Sequence, residues 1–442
     1  MESGEHPIAN WPVTPDSACA ASGLRYYSPW WAKSGPTPFC ILGPTWRRPP
    51  PSNHWNSEKM SILEDFTQAA GESGRSLATL VVEALKLRAS PTRLGLSEYI
   101  DFKLYLDDLT FSEKASFGGL RTQGLLEEIL IDDYSKFLSL DKVTMYALLR
   151  GHGIPIPEVR ATYRSSRPAS VRSLGSAEDL EEYLKSPGCL PVYIKRAFGA
   201  YGRGNLLVQR FDGNNVILGN GAAEPIADFC RSLDAGRTLG WMLQQPLTSH
   251  PEIRALTQSE KISGLRIHSF LSGGSTTITK AIFKINVGMK DSDNFEHGAS
   301  GNLLGAVDVA TGKVSRVIAG TGLKQTTNAA HPRTGRDIVG FQIPYWGALL
   351  ALVENAQKAF PGFICPGWDI ALCEDGPKVL EVNFFGDIDL SQHAYRVGFL
   401  DETFLSLMRE RHLDRLLHTG PRRSARSPVN HRLGIRQHHW PW

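Results

Sequence analysis

Residues 367–385, GWDIALCEDGPKVLEVNFF, set two apolar runs on either side of a short polar break; Asp369 interrupts the first run, and Glu381 and Asn383 stand two positions apart in the second. Alternation of this kind marks a strand with two different faces. The polar face is either a solvated sheet edge or a site, and the pairing of the two runs decides which. With Glu374, Asp375 and Gly376 as a three-residue hairpin loop, Gly376 taking the left-handed position, Cys373 pairs with Pro377 and Asp369 lies opposite Glu381. That register gathers Trp368, Ile370, Leu372, Leu380, Val382 and Phe384 on the other face, whereas a two-residue loop would scramble both faces. Asp369, Glu381 and Asn383 are therefore expected to converge. Two carboxylates and an amide oxygen are hard ligands of the kind Mg²⁺ takes, with water and phosphate completing its shell.

A cation that neutralises phosphate needs lysines and backbone amides nearby. YIKRAFGAYGRGN, residues 193–205, offers both: Lys195 ends a strand, and Gly199, Gly202 and Gly204 make a loop whose N–H groups can wrap an anion. Taken alone, this loop is an ordinary hairpin turn. It is not a Walker sequence, because no Gly-Lys-Ser/Thr follows, and no helix clearly opens at the third glycine as a dinucleotide fingerprint requires. Upstream, Lys142 opens SLDKVTMYALLRGHGIPIPEV, a helix stopped by Gly151 and Gly153 and followed by an extended Pro155/Pro157 segment.

Around these motifs the chain divides by pattern. With 442 residues it exceeds one ordinary core, so several packed units are expected. Residues 1–59 hold five of the ten tryptophans among prolines without periodicity. We read them as a disordered extension rather than a binding arm. An α-rich region over 60–135 follows, then mixed strand and helix over 136–246 and 247–420. The helix in PYWGALLALVENAQKAFPG is expected to face the core with Trp346, Leu349, Leu350, Val353 and Phe360. Residues 421–442 carry five arginines and no acid, a disordered basic tail.

Composition narrows the function. The net charge is +3 with basic residues scattered through the body, which argues against nucleic-acid and anionic-membrane partners and favours small-molecule chemistry. Six cysteines form no CxxC pair, no apolar run is long enough to span a bilayer, and the first twenty residues lack a signal-peptide pattern. A reduced, cytoplasmic protein is expected.

The ordered set of Lys142, Lys195, the glycine loop, a strand ending in QQPL and an Asp…Glu-x-Asn hairpin resembles the ATP-grasp superfamily, and within it the sugar-transfer-associated family. The likeness runs over roughly residues 80–415 and includes SGLRIHSFLS, AIFKINVG, DNFEHGASGNLLGAVDVATGKV and HPRTGRDIVGFQIPYW. It implies an α+β fold in which two antiparallel-sheet subdomains sandwich ATP, preceded here by the α-rich region. By the same resemblance Lys142 and Lys195 hold the nucleotide phosphates, and the loop from Gly199 through Gly202 to Gly204 closes over them. Gln244, Gln245 and Leu247 present groups to the base. Asp369, Glu381 and Asn383 hold Mg²⁺, with Mn²⁺ as an alternative.

Arg266 matches an arginine that steadies the transferred phosphoryl group, a task suited to an always-charged planar fork; its bland reading is a surface ion pair. Lys284 stands where related sequences tend to have Arg. Asn294 and His297 lie in a glycine-flanked loop facing the centre, His297 being either a general base or a solvated loop residue. The implied activity is ligation of a carboxylate to an amine or a thiol through an acyl phosphate, with ADP and phosphate released. A small-molecule kinase on the same scaffold is the alternative, and a non-catalytic nucleotide-binding module a third reading that the intact Asp369, Glu381 and Asn383 set opposes.

Overall fold

The computed structural model describes residues 61–166, 170–199, 204–235, 239–288 and 292–419. Residues 1–60, Gly202 and the basic tail lie outside the described residues. The N-terminal region is helical: α1 (Ile62–Ser73), α2 (Leu77–Ala89), α3 (Leu96–Asp101), α4 (Phe111–Lys114), α5 (Leu120–Leu130), α6 (Asp133–Leu140) and α7 (Lys142–Gly151). Ser61 and Glu64 close a capping box on α1, which stops at Gly74 in the left-handed conformation. The boundary read at 135/136 falls inside α6. Both α6 and α7 lay apolar side chains, Leu138, Met145 and Leu149, into the core beneath the second sheet.

The first sheet is built from β1 (Val159–Tyr163), β2 (Arg172–Leu174), β3 (Val192–Arg196), β4 (Leu206–Phe211), β5 (Asn215–Leu218), β6 (Ala223–Pro225) and β7 (Trp241–Gln244), with α8 (Ala177–Lys185) and α9 (Ile226–Ala235) between them. Its order is β2-β1-β7-β3-β4-β5-β6, antiparallel except for β1 with β2. Val192 and Ile194 of β3 and Trp241 and Leu243 of β7 turn one way, into a core with Leu180 and Phe229 of the two helices. Period-two alternation sends Tyr193, Lys195, Met242 and Gln244 the other way. There Met242 meets Val143 and Tyr146 of α7.

After α10 (Pro251–Thr257) the second sheet collects β8 (Leu265–Ser272), β9 (Ser275–Ile285), β10 (Leu303–Val307), β11 (Val314–Ala319) and β12 (Thr326–Thr327). Then follow α11 (Trp346–Ala359), β13 (Gly367–Cys373), β14 (Gly376–Asn383), α12 (Ile388–Tyr395), α13 (Glu402–Glu410) and α14 (Leu416–Thr419). The sheet runs β12-β11-β10-β9-β8-β13-β14, antiparallel throughout. Helix α11 covers one face with Trp346, Leu349, Leu352, Val353 and Ala356 against Ile267, Phe283, Trp368 and Ile370; Leu350, expected in the core, is half-buried at its edge. The helix ends at Ala359, ahead of Pro361 and Gly362. Helix α12 packs on the opposite face. No helix among the described residues is long and apolar enough to cross a membrane.

The β13–β14 hairpin corrects the expected turn while keeping its consequence. Cys373 pairs with Gly376, so the loop is the two residues Glu374 and Asp375, and Gly376 has φ +115°. The register then shifts by one between Ile370↔Val379 and Asp369↔Glu381, leaving Leu380 as the extra residue of a β-bulge. One inserted residue restores the face parity that a two-residue loop would have reversed. Val379 therefore takes the core position expected for Leu380, and Asp369 still lies opposite Glu381.

Candidate functional site

Four adjacent strands of the second sheet bring the charged side chains together. Arg266 on β8 is the cross-strand partner of Asp369 on β13, which is in turn the partner of Glu381 on β14; Lys284 comes from β9 on the other side. Arg266 grips Asp369 with both ends of its fork, Nε to Oδ1 at 2.6 Å and Nη2 to Oδ2 at 3.1 Å. Lys284 Nζ lies 3.5 Å from Asp369 Oδ1 and 3.3 Å from Asp293 Oδ1. Arg266 is thus in an ion pair, but a buried one. Burial by itself would push the Asp369 carboxyl up; the Arg266 and Lys284 charges outweigh it and hold it far below the usual carboxylate range. Burial likewise works against charge on Lys284, yet Asp293 and Asp369 leave its affinity for a proton raised.

The first sheet and α7 supply the facing half. Lys142 Nζ is 3.1 Å from Glu381 Oε1 and also donates to the Gly199 carbonyl. Lys195 Nζ donates to Tyr146 Oη at 2.8 Å and to the Leu380 carbonyl at 3.3 Å, and lies 4.5 Å from the centre of the Tyr146 ring. Tyr146 Oη donates to the same carbonyl at 2.7 Å. The bulge at Leu380 thus aims a backbone oxygen at the lysine. A small cavity between α7 and β14 is lined by Lys142, Tyr146, Leu380 and Glu381.

Burial, reinforced by the charge of Lys142 and opposed by Glu381, pushes Lys195 down to about 7. An anion bound beside it favours the ammonium form, so the Lys195 pKa should rise on binding. The resemblance implies a nucleotide phosphate as that anion, so the expected result is net proton uptake on nucleotide binding above the free-state value, with affinity weakening as pH rises through it. Calorimetry of ATP binding in buffers of different ionisation enthalpy measures this. Equal apparent enthalpies in all buffers would rule it out.

The remaining expected residues are placed less directly. Asn383 spends its Nδ2 on the Gly367 carbonyl at 3.3 Å, which leaves Oδ1 as the end able to act as a ligand. Gly199 and Gly204 take φ +126° and +82°, conformations that suit glycine. Gln244 is buried, and its Oε1 has no hydrogen-bond partner among the described residues. Gln245 donates its backbone N–H to Glu158 O at 2.9 Å, so its carbonyl is the backbone group left to offer. Leu247 is half-buried in the segment between β7 and α10.

Asn294 is half-buried and tied through its backbone to Ser292 and Asn302; its neighbour Asp293, not Asn294, reaches Lys284. His297 is exposed and lies 3.4 Å from Asp389, not on the Arg266–Asp369 pair. Sequence reasoning missed Asp293, Tyr146 and Asp387, whose Oδ2 is 3.9 Å from Arg266 Nη1. That Nη1 is buried and makes no hydrogen bond among the described residues. A buried donor that makes no hydrogen bond can serve an anionic group brought to it.

Two facing sheets with paired lysines on one side and an acid–arginine row on the other define the ATP-grasp fold and its cleft. The sequence profile of the sugar-transfer-associated ATP-grasp family matches residues 129–404, and the chain belongs to that family. Solved structures to which the chain is similar include N5-carboxyaminoimidazole synthase from Aspergillus clavatus with ADP, 12% identical, covering 57% of this chain and 46% of that one with a TM-score of 0.32. The Staphylococcus aureus N5-carboxyaminoimidazole synthetase with ADP is 10% identical over 57% and 46%, TM-score 0.33. Biotin carboxylase from Campylobacter jejuni is 13% identical over 58% and 43%, TM-score 0.33. The chain spans less than half the length of each. No curated protein matches the sequence.

Proposed function

We propose that the chain is an ATP-dependent ligase that joins a small-molecule carboxylate to an amine, or to a thiol, through an acyl phosphate. The observation that carries this reading is the unspent Nη1 of Arg266, a buried donor fixed by Asp369 on the sheet that faces Lys142 and Lys195. The orphaned Gln244 Oε1 supports it from the other side, as an acceptor suited to the amino group of adenine. In the first step a carboxylate oxygen attacks the γ-phosphorus and the bond to ADP breaks. In the second the amine lone pair attacks the acyl carbon, phosphate leaves with its C–O bond electrons, and the nitrogen gives up a proton.

Lys142 and Lys195 hold the phosphates of the substrate ATP against their own repulsion. Arg266 meets the charge gathering on the transferred group, where a preorganised buried donor is most effective. Glu381, Asn383 and Asp369 are the residues that would hold Mg²⁺, which when bound neutralises phosphate charge. The carboxylates fit it by chemistry, Glu381 by exchanging its contact with Lys142 and Asp369 by sharing an oxygen that Arg266 holds, since each carboxylate oxygen has a second lone pair.

Screening carboxylates and amines for ADP release tests the reaction. ADP and phosphate are expected, never AMP, and hydroxylamine should replace the amine and give a hydroxamate with the right carboxylate. A stable phosphorylated alcohol in place of the hydroxamate would mean a kinase. AMP with pyrophosphate would reject both.

A further inference from the structure

We propose that His297, Asp389 and His393 form a binding site for a divalent transition ion of the zinc type, separate from the Mg²⁺ position. One ring nitrogen of each histidine and a carboxylate oxygen of Asp389 all lie within 4.8 Å of one another. Asp389 and His393 stand four residues apart on α12, which puts them on one face of that helix. His297 is brought to them from a short 3-10 turn, Glu296–Gly298, with its Nδ1 3.4 Å from Asp389 Oδ2. The other oxygen of Asp389 accepts from the Leu390 N–H at 2.7 Å, so the carboxylate is oriented with Oδ2 toward the histidine.

A second observation points to a ligand. His393 is only 4% exposed, and its Nδ1 is buried with no hydrogen-bond partner among the described residues. A buried imidazole with an unpartnered ring nitrogen costs free energy, and this side chain also presents a ring nitrogen within 4.8 Å of the His297 and Asp389 ligand atoms. The backbone around it is fixed: Arg316 donates to the carbonyls of His393 and Ala394, both at 2.7 Å, and the Phe102 ring lies 4.7 Å from the imidazole. The turn that carries His297 is fixed too. A Cβ at Gly298 would stand 2.4 Å from Gly320 Cα, so the turn is seated directly on the β11 end.

Two imidazoles and one carboxylate select zinc, cobalt or iron over Mg²⁺, which prefers oxygen alone. Bond lengths of about 2.0–2.1 Å bring tetrahedral ligand atoms to roughly 3.4 Å from one another, so the set must contract. The His297 side chain, 66% exposed, is the member able to move. Three protein ligands leave a further position to water or to a substrate group. The site is also near the reacting end: α12 begins just after Asp387, whose Oδ2 is 3.9 Å from Arg266 Nη1. An ion held here would tie the 292–302 loop, with Asp293, to α12.

Titration of the full chain with Co²⁺ in excess Mg²⁺ tests the site without reference to activity. One equivalent is expected, with the visible absorption of a low-coordinate Co²⁺ centre, displaced by Zn²⁺. His297→Ala, at an exposed position, should fold normally and weaken binding at least tenfold, and Asp389→Asn should do the same. His431, His438 and His439 remain in both variants, so loss of the signal assigns it to this cluster. Unchanged Co²⁺ binding in His297→Ala, or no uptake by the wild-type chain, would overturn the proposal.

Discussion

Asp369→Asn should cost about 3–5 kcal/mol of stability and drop ADP release by two to three orders of magnitude. The carboxylate is only 13% exposed and answers two buried cations, so the amide would leave the Arg266 guanidinium short of one charge-assisted bond and turn an N–H₂ donor toward other donors. Lys284 would keep Asp293 at 3.3 Å; Arg266 would keep only the 3.9 Å approach of Asp387. Because the folded-state pKa of Asp369 is depressed, its contribution is complete above the ordinary aspartate range and disappears as pH falls toward the folded value. The stability gap between wild type and variant should therefore narrow in acid. Glu381→Gln provides the contrast, since Glu381 is 20% exposed and meets a single lysine at 3.1 Å. Its activity should fall as far, while its stability changes by much less. Urea midpoints that match for Asp369→Asn and wild type at neutral pH would remove the buried pair as a source of stability.

The sequence carried the facing of Asp369 and Glu381 because alternation is a local property, visible in six or seven residues. It did not carry the route by which the facing is achieved. A two-residue loop and a bulge at Leu380 change parity twice and cancel, so a wrong loop length led to the right cross-strand partner. Nothing in KVLEVN announces a bulge; the groups that use the freed Leu380 carbonyl, Tyr146 and Lys195, come from more than 180 residues away. Asp293 and Asn294 were equally polar neighbours in one loop. What selects Asp293 is that its other oxygen accepts the Gly264 N–H beside the Arg266 strand, a long-range contact with no trace in local spacing. Metal-type ligands on α12 escaped for a related reason, since Asp389 and His393 form a set only with a histidine about ninety residues earlier in the chain.

Arg266→Lys should leave ATP binding close to normal and lower the rate of hydroxamate formation by about 10²–10³-fold. Arg266 does two things with one planar group. Its Nε and Nη2 are committed to Asp369, and this chelation points the third nitrogen, Nη1, away from the carboxylate and leaves it unsatisfied. A lysine keeps the charge but presents one nitrogen on a flexible stem, so it can neutralise Asp369 or reach a transferred phosphoryl group, not both in fixed geometry. Because the charge is kept and Asp369 remains paired, the fold should suffer far less than in Asp369→Asn, which separates a catalytic defect from an unfolded protein. In the proposed reaction the nucleotide phosphates are held by Lys142 and Lys195 across the cleft, whose contacts with Glu381 and Tyr146 the substitution leaves untouched. The loss should therefore appear in kcat with little change in the KM for ATP. Equal losses in ATP affinity and kcat would instead place Arg266 in ground-state binding of the nucleotide, and a variant as active as wild type would show that charge alone, without the fork, is all the site requires.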